Sequence, residues 1–174
     1  ILIQTNLIKS AFQNNIKHFI NLGSSCIYPK NARQPIKEEY LLTDELEKTN
    51  EAYALAKIIG LKLCEYYNKQ FDQNYFTLMP CNLYGPDDNF DLNNSHFIPA
   101  LIKKIINSKN NKSKFIEIWG SGKPKREVMY VDDLASAIYF LLNKKISNDK
   151  KLLKIIKKTS LINVGSSKEF TIKE

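Results

Sequence analysis

The chain is poor in glycine, cysteine, histidine and long apolar runs, and each shortage closes off a class of protein. Six glycines in 174 residues leave no Gly-x-Gly-x-x-Gly turn, so no segment forms the backbone cradle that holds a dinucleotide pyrophosphate at a helix start. Gly120-Ser121-Gly122 lacks the third glycine, and no helix opens on it. Three cysteines, Cys26, Cys64 and Cys81, show no metal-ligand spacing and are odd in number. That argues against a zinc site or a disulfide framework, predicts no metal, and fits a reducing cytoplasm. No apolar run approaches a bilayer-spanning length, and Ile1 to Asn6 carry neither a basic n-region nor a cleavage pattern, so no membrane partner is expected.

What is present suits one globular domain. Hydrophobic residues make up 43% of the sequence, enough for a real core, and the net charge is +8. The lysines are scattered, dense only from Lys144 to Lys158, and aromatics are not interleaved with them. Nucleic acid is therefore not the expected partner; small anions such as dinucleotides and nucleotide-sugars suit this charge.

Periodicity places the elements. Leu2, Ile3, Leu7, Ile8, Ala11 and Phe12 recur at helical spacing, and Phe19-Ile20-Asn21-Leu22, broken at Gly23, reads as a buried strand delivering Ser24, Ser25 and Cys26 to a sheet edge. The Pro-broken stretch Ile27 to Thr43 reads as a loop lining a cleft. From Asn50 to Phe71 the residues Ala52, Leu55, Ala56, Ile59, Leu63 and Tyr66 mark a second helix. Tyr75 to Met79 is the next buried strand, followed after Pro80 by a turn, Cys81 to Pro86. Ser95 is the expected cap of a helix over Phe97 to Ile106. Phe115 to Trp119 and Glu127 to Tyr130 read as strands, Val131 to Asn143 as a helix, Leu161 to Gly165 as a strand, and Phe170 to Glu174 as the start of a helix. Strands alternating with helices predict an α/β fold with a doubly wound parallel sheet and ligands at its carboxyl edge.

Tyr53 and Lys57 leave one face of the second helix a turn apart. A phenol with a reference pKa of about 10 is a poor acid–base catalyst at neutral pH. A neighbouring ammonium favours its ionised form, and a serine hydroxyl opposite can orient the oxygen that receives the proton. Tyr-x-x-x-Lys alone is common on helices. Its strength in this chain comes from the serine-bearing strand end upstream.

Gly23-Ser24-Ser25-Cys26-Ile27-Tyr28-Pro29-Lys30 and Glu51-Ala52-Tyr53-Ala54-Leu55-Ala56-Lys57 together resemble the extended short-chain dehydrogenase/reductase family. Within it they are similar to the NADPH-dependent epimerase-reductases acting on GDP-4-keto-6-deoxy-D-mannose. The resemblance implies that Tyr53 protonates the C4 oxygen, helped by Lys57 and by Ser24 or Ser25, which sequence does not rank. It implies that Cys26 and His96 move protons at C3 and C5, His96 lying in Asn94-Ser95-His96 before Ile98-Pro99-Ala100-Leu101. Leu22, Gly23, Ser24, Ser25, Lys57, Pro80, Cys81, Asn82, Leu83 and His96 are expected beside NADPH. Lys104, Trp119 and Arg126 are expected on the nucleotide-diphosphate of the substrate. Cys81 stands where the family has Thr, and Lys104 where it more often has Arg.

The resemblance further implies a Rossmann-like domain whose glycine-rich N-terminal βαβ unit precedes Ile1 and whose C-terminal substrate lobe continues past Glu174, so the chain reads as an internal fragment. Residues 87–130 and 144–174 are expected on its substrate side, and the full-length protein as a homodimer. The rival readings are another nucleotide-sugar 4-epimerase or 4,6-dehydratase, or a non-catalytic dinucleotide-fold binding module. A dehydratase should show Thr-Asp-Glu where Ser24-Ser25-Cys26 stands; a module without turnover has no need of Tyr53 and Lys57.

Overall fold

The computed structural model describes residues 1–118, 120–143 and 150–174. They form α1 (Leu2–Gln13), β1 (His18–Leu22), α2 (Glu51–Phe71), β2 (Asn74–Pro80), β3 (Asn82–Tyr84), α3 (Phe97–Asn110), β4 (Lys125–Tyr130), α4 (Val131–Asn143), α5 (Lys150–Thr159), β5 (Leu161–Val164) and β6 (Glu169–Thr171). Two compact units result, one from Ile1–Cys81 with Leu134–Val164, the other from Asn82–Asp133 with Gly165–Glu174. No helix among the described residues is long and apolar enough to cross a membrane.

The first unit is built on a parallel sheet of order β1-β2-β5. Its central strand β2 is buried from Asn74 to Met79, as a largely apolar strand is when both faces are covered, and the buried Thr77 Oγ1 accepts from Asn21 Nδ2. Alternation along β2 assigns the two faces. Tyr75 packs with Ile8 of α1 and Cys64 of α2, and Met79 with Ile58 and Leu61 of α2. Phe76 and Leu78 pack with Ile138 and Leu141 of α4 and with Leu152, Leu153 and Ile156 of α5. The expected double winding is therefore present. Unlike β2, β1 is only half-buried, because among the described residues it pairs on one side alone.

Two helix faces differ from the sequence expectation. Of the expected stripe, Ala52, Leu55, Ile59 and Tyr66 are exposed, while Ala56 and Leu63 are half-buried and Leu63 packs beside Cys64 and Tyr75. The buried face is Ala54, Ile58, Leu61, Cys64 and Asn68, a second stripe at the same spacing. Asn68 belongs to it because its amide exchanges hydrogen bonds with the backbone of Tyr75 and donates to Ser160 Oγ, so the polar group is satisfied in the core. On α1, Leu2, Ile3 and Leu7 are likewise exposed and Ile8 is buried.

The second unit holds β3 parallel to β4 and β6 antiparallel to β4, with α3. It carries most of the departures from sequence reading. Asn82–Tyr84 is a strand rather than a turn, in register with Val128–Tyr130 and tied to it by Asn82 Nδ2 donating to Glu127 O at 2.9 Å. Phe115 to Ile118 pairs with no strand among the described residues: Ser108 Oγ and Lys104 Nζ of α3 satisfy the carbonyls of Phe115 and Glu117 instead. Residues 169–171 form a strand, not a helix start, because Lys125–Glu127 offers them an open edge. His96, not Ser95, occupies the cap position of α3, without a side-chain cap bond, and Pro99 falls in the first turn where its missing N–H costs nothing.

Gly23 is required by close approach. A Cβ there would lie 2.1 Å from Met79 Cε, 2.5 Å from its Sδ and 2.9 Å from Thr77 Cγ2. Gly23→Ala is expected to cost about 1–3 kcal/mol of overpacking. Adding Met79→Ala should recover part of it, since the two side chains would contend for one volume. Denaturant melts of the four proteins in this cycle check the coupling; strict additivity would contradict the close approach.

Candidate active site

At the carboxyl edge of the first sheet, Gly23 N–H donates to Leu78 O at 2.8 Å and so extends the β1–β2 ladder by one residue. The chain then leaves the sheet through an extended Ser24 (φ −156°, ψ 144°) into a single 3-10 turn, Ser25–Ile27. Ser24 and Cys26 are half-buried and Ser25 is exposed. This turn packs against α2. The carboxyl end of β2 supplies Pro80 and Cys81 beside it, Cys81 N–H donating to Val164 O of β5 at 3.1 Å.

The helix brings the titratable pair. Lys57 Nζ donates to Leu22 O at 2.9 Å and lies 5.6 Å from the centroid of the Tyr53 ring. One ammonium thus bridges the end of β1 and the phenol of α2. Tyr53 is 52% exposed, open to a substrate. The structure therefore gathers Leu22, Gly23, Ser24, Ser25, Cys26, Tyr53, Lys57, Pro80 and Cys81 in the first unit, at the sheet edge where open α/β folds bind ligands.

The three cysteines carry thiols rather than disulfides. Cys64 lies in the core, and burial pushes its thiol up to about 12, beyond reach of neutral-pH chemistry. Cys26 differs in being half-buried on the turn. No group of three or more His, Cys, Asp and Glu among the described residues is placed to hold a metal.

The other expected residues belong to the second unit. Asn82 and Leu83 lie on β3 and His96 at the start of α3. Lys104 and Arg126 line one cleft of about 260 Å³, with apolar walls from Phe97, Leu101, Ile118 and Pro124. Lys104 Nζ also donates to Glu117 O at 2.8 Å, and Arg126 Nη1 to Lys125 O at 2.8 Å. Two cations with apolar neighbours in one cleft suit an anion that also carries an apolar or ring portion. Trp119 lies outside the described residues.

Sequence reasoning missed Tyr28, Glu38 and Asn163. Tyr28 sits inside the Gly23 to Lys30 motif and is 4% exposed, its hydroxyl donating to Asn163 Oδ1 at 2.5 Å. The signal that could have found its partner was a lone amide in the apolar strand Leu161-Ile162-Asn163-Val164.

A family model described as NAD dependent epimerase/dehydratase matches residues 1–156. The chain is 47% identical over 174 residues to GDP-L-fucose synthase of Sinorhizobium fredii, covering 100% of this chain and 52% of that protein. It is 47% identical over 170 residues to GDP-L-colitose synthase of Yersinia pseudotuberculosis, covering 97% and 52%. Among solved structures, a GDP-mannoheptose C4 reductase from Campylobacter jejuni with NADP bound superposes with a TM-score of 0.81 at 36% identity, over 98% of this chain and 58% of that one. The chain spans about half the length of the curated relatives it matches.

Proposed function

The chain belongs to the NAD dependent epimerase/dehydratase family, and from that premise we propose that it is the catalytic segment of an NADPH-dependent enzyme that epimerises C3 and C5 of GDP-4-keto-6-deoxy-D-mannose and reduces C4, giving GDP-L-fucose. The observation that carries this is the Lys57 ammonium seated between Leu22 O and the Tyr53 ring, beside a Ser-Ser-Cys turn at a parallel sheet edge. The relatives' names support the GDP-sugar and NADP.

The sheet edge fits the nicotinamide end of the cofactor: Lys57 already reaches a main-chain oxygen at the β1 exit, beside the open Ser24–Cys26 turn. NADPH, when bound, supplies the hydride for C4. Tyr53 gives the C4 oxygen its proton, Lys57 holds the phenol side of α2 against Leu22, and Ser24 or Ser25 orients the carbonyl. The keto group acidifies the hydrogens at C3 and C5, and we assign their removal and return to Cys26 and His96. Lys104 and Arg126, with Trp119 from the sequence motif, hold the nucleotide-diphosphate, a task suited to a guanidinium fork. The exposed apolar residues of α1 and α2 (Leu2, Ile3, Leu7, Leu55, Ile59 and Tyr66) support a homodimer of the full-length protein, and unbridged thiols support a cytoplasmic setting.

Oxidation of NADPH by the full-length protein, followed with GDP-4-keto-6-deoxy-D-mannose and with a UDP-linked 4-keto sugar, tests the reading. Turnover only with the GDP-sugar is expected; turnover of neither would overturn it. In the same assay Arg126→Ala should raise KM for the GDP-sugar by roughly 10- to 100-fold, the loss of a charge-assisted hydrogen bond to phosphate, with a smaller effect on kcat. An unchanged KM would remove Arg126 from the substrate site.

A further inference from the structure

The buried Tyr28 and the half-buried Glu38 and Asn163 form a polar lock that the assigned chemistry leaves unused. The Tyr28 hydroxyl donates to Asn163 Oδ1 at 2.5 Å, Asn163 Nδ2 donates to Ile36 O at 3.2 Å, and Asn163 N–H donates to Glu38 Oε1 at 2.9 Å. Three points on the loop after the 25–27 turn thus end on one residue of β5. That residue is itself fixed, being in register with Met79 of the central strand.

Each donor is matched to its acceptor. Burial holds the Tyr28 phenol well above its usual range, so it stays protonated and can only be the donor toward Oδ1. The Asn163 amide is then oriented with its oxygen toward Tyr28 and its nitrogen toward Ile36 O, both ends used. Replacing Asn163 leaves the buried Tyr28 hydroxyl without its bond, and replacing Tyr28 leaves the half-buried Asn163 Oδ1 without this partner.

The lock lies one turn from Cys26, the candidate proton-transfer residue. Tyr28 N–H donates to Ser25 O and Ile27 N–H to Ser24 O, both at 3.2 Å, so the turn that carries Cys26 is closed by backbone bonds, one of them from Tyr28 of the lock. Ile27 and Tyr28 also pack with Ile58, Leu61, Met79 and Leu161, which keeps the base of the turn dry. Among the described residues nothing comparable pins Ser24 to Cys26 from the solvent side: Ser25 is exposed, and Ser24 caps the turn without a side-chain bond.

We propose that Tyr28 and Asn163, backed by Glu38, are positioning residues that fix where the Ser24–Cys26 turn holds the Cys26 thiol. The proposal rests on the reading of that turn as catalytic, and deepens it: the three residues act through the turn.

The experiment uses the full-length protein with Tyr28→Phe and, separately, Asn163→Leu. Iodoacetamide labelling is followed by peptide mapping of Cys26, with Cys81 as internal reference and the buried Cys64 as blank. Labelling of Cys26 relative to Cys81 is expected to rise by roughly 2- to 10-fold in both variants, the range of one lost hydrogen bond. Glu38→Gln, which retains a carbonyl acceptor for Asn163 N–H, should keep the wild-type ratio where Glu38→Ala does not. Deuterium incorporation at C3 and C5 should fall while KM for the GDP-sugar holds. An unchanged Cys26 rate, or Cys26 and Cys81 accelerating together as in general loosening, would overturn the lock. Faster labelling with unaltered deuterium incorporation supports the lock and instead removes Cys26 from the chemistry.

Discussion

Tyr53→Phe in the full-length protein is expected to lower kcat for C4 reduction by about 10²- to 10⁴-fold, the usual range for loss of a positioned acid. KM for the GDP-sugar should stay within about twofold, because one hydroxyl on a half-exposed helix face is removed and no packing changes. The geometry behind this is specific: the Tyr53 ring stands 5.6 Å from an ammonium that is itself tied to Leu22 O. Lys57→Met should lower the rate as well, and in addition free the end of β1 from α2. Steady-state rates with saturating NADPH decide the matter. Wild-type turnover by Tyr53→Phe would mean that the chain does not use its Tyr-x-x-x-Lys pair.

Cys26→Ser should nearly abolish proton exchange at the carbon that Cys26 serves while sparing substrate affinity. A thiol with a reference pKa of about 8.5 moves a carbon-bound proton far more readily than a neutral hydroxyl does. The substitution is close to isosteric, so the 3-10 turn that carries it should persist. Loss of deuterium uptake at one carbon of the substrate, with the second still exchanging, would also show which centre Cys26 serves. Full exchange at both carbons in Cys26→Ser would exclude it.

The first unit was legible because its signals are local and redundant. The apolar run Tyr75 to Met79, stopped by Pro80, had to be a strand covered on both faces, and it is the buried centre of the sheet. The existence and length of α2 were also clear, but not its orientation. Two apolar stripes compete on that helix, and only tertiary packing selects Ala54, Ile58, Leu61 and Cys64 over Leu55, Ile59 and Tyr66. In the second unit the signals mislead for a shared reason, since short segments take their state from partners distant in sequence. Phe115 to Ile118 alternates like a strand yet has its carbonyls met by α3 side chains. Glu169–Thr171 pairs with Lys125–Glu127 rather than starting a helix.

The candidate site divides the same way. Tyr53 and Lys57 follow from spacing within one helix, and Ser24 to Cys26 from a strand that ends at a glycine. Lys104 and Arg126 were named only through a resemblance, and their sharing one cleft comes from the fold. Asn163 is 135 residues from Tyr28, a separation over which no local pattern carries information.

The most direct measurement is turnover of GDP-4-keto-6-deoxy-D-mannose by the full-length protein in D₂O with NADPH, with the product's isotopic pattern read by NMR. Each sugar is expected to consume one hydride equivalent, to carry solvent deuterium at both C3 and C5, and to carry none at C4. NADPH consumption without deuterium at either carbon would make the protein a plain C4 reductase. That result would contradict the proton-transfer roles of Cys26 and His96.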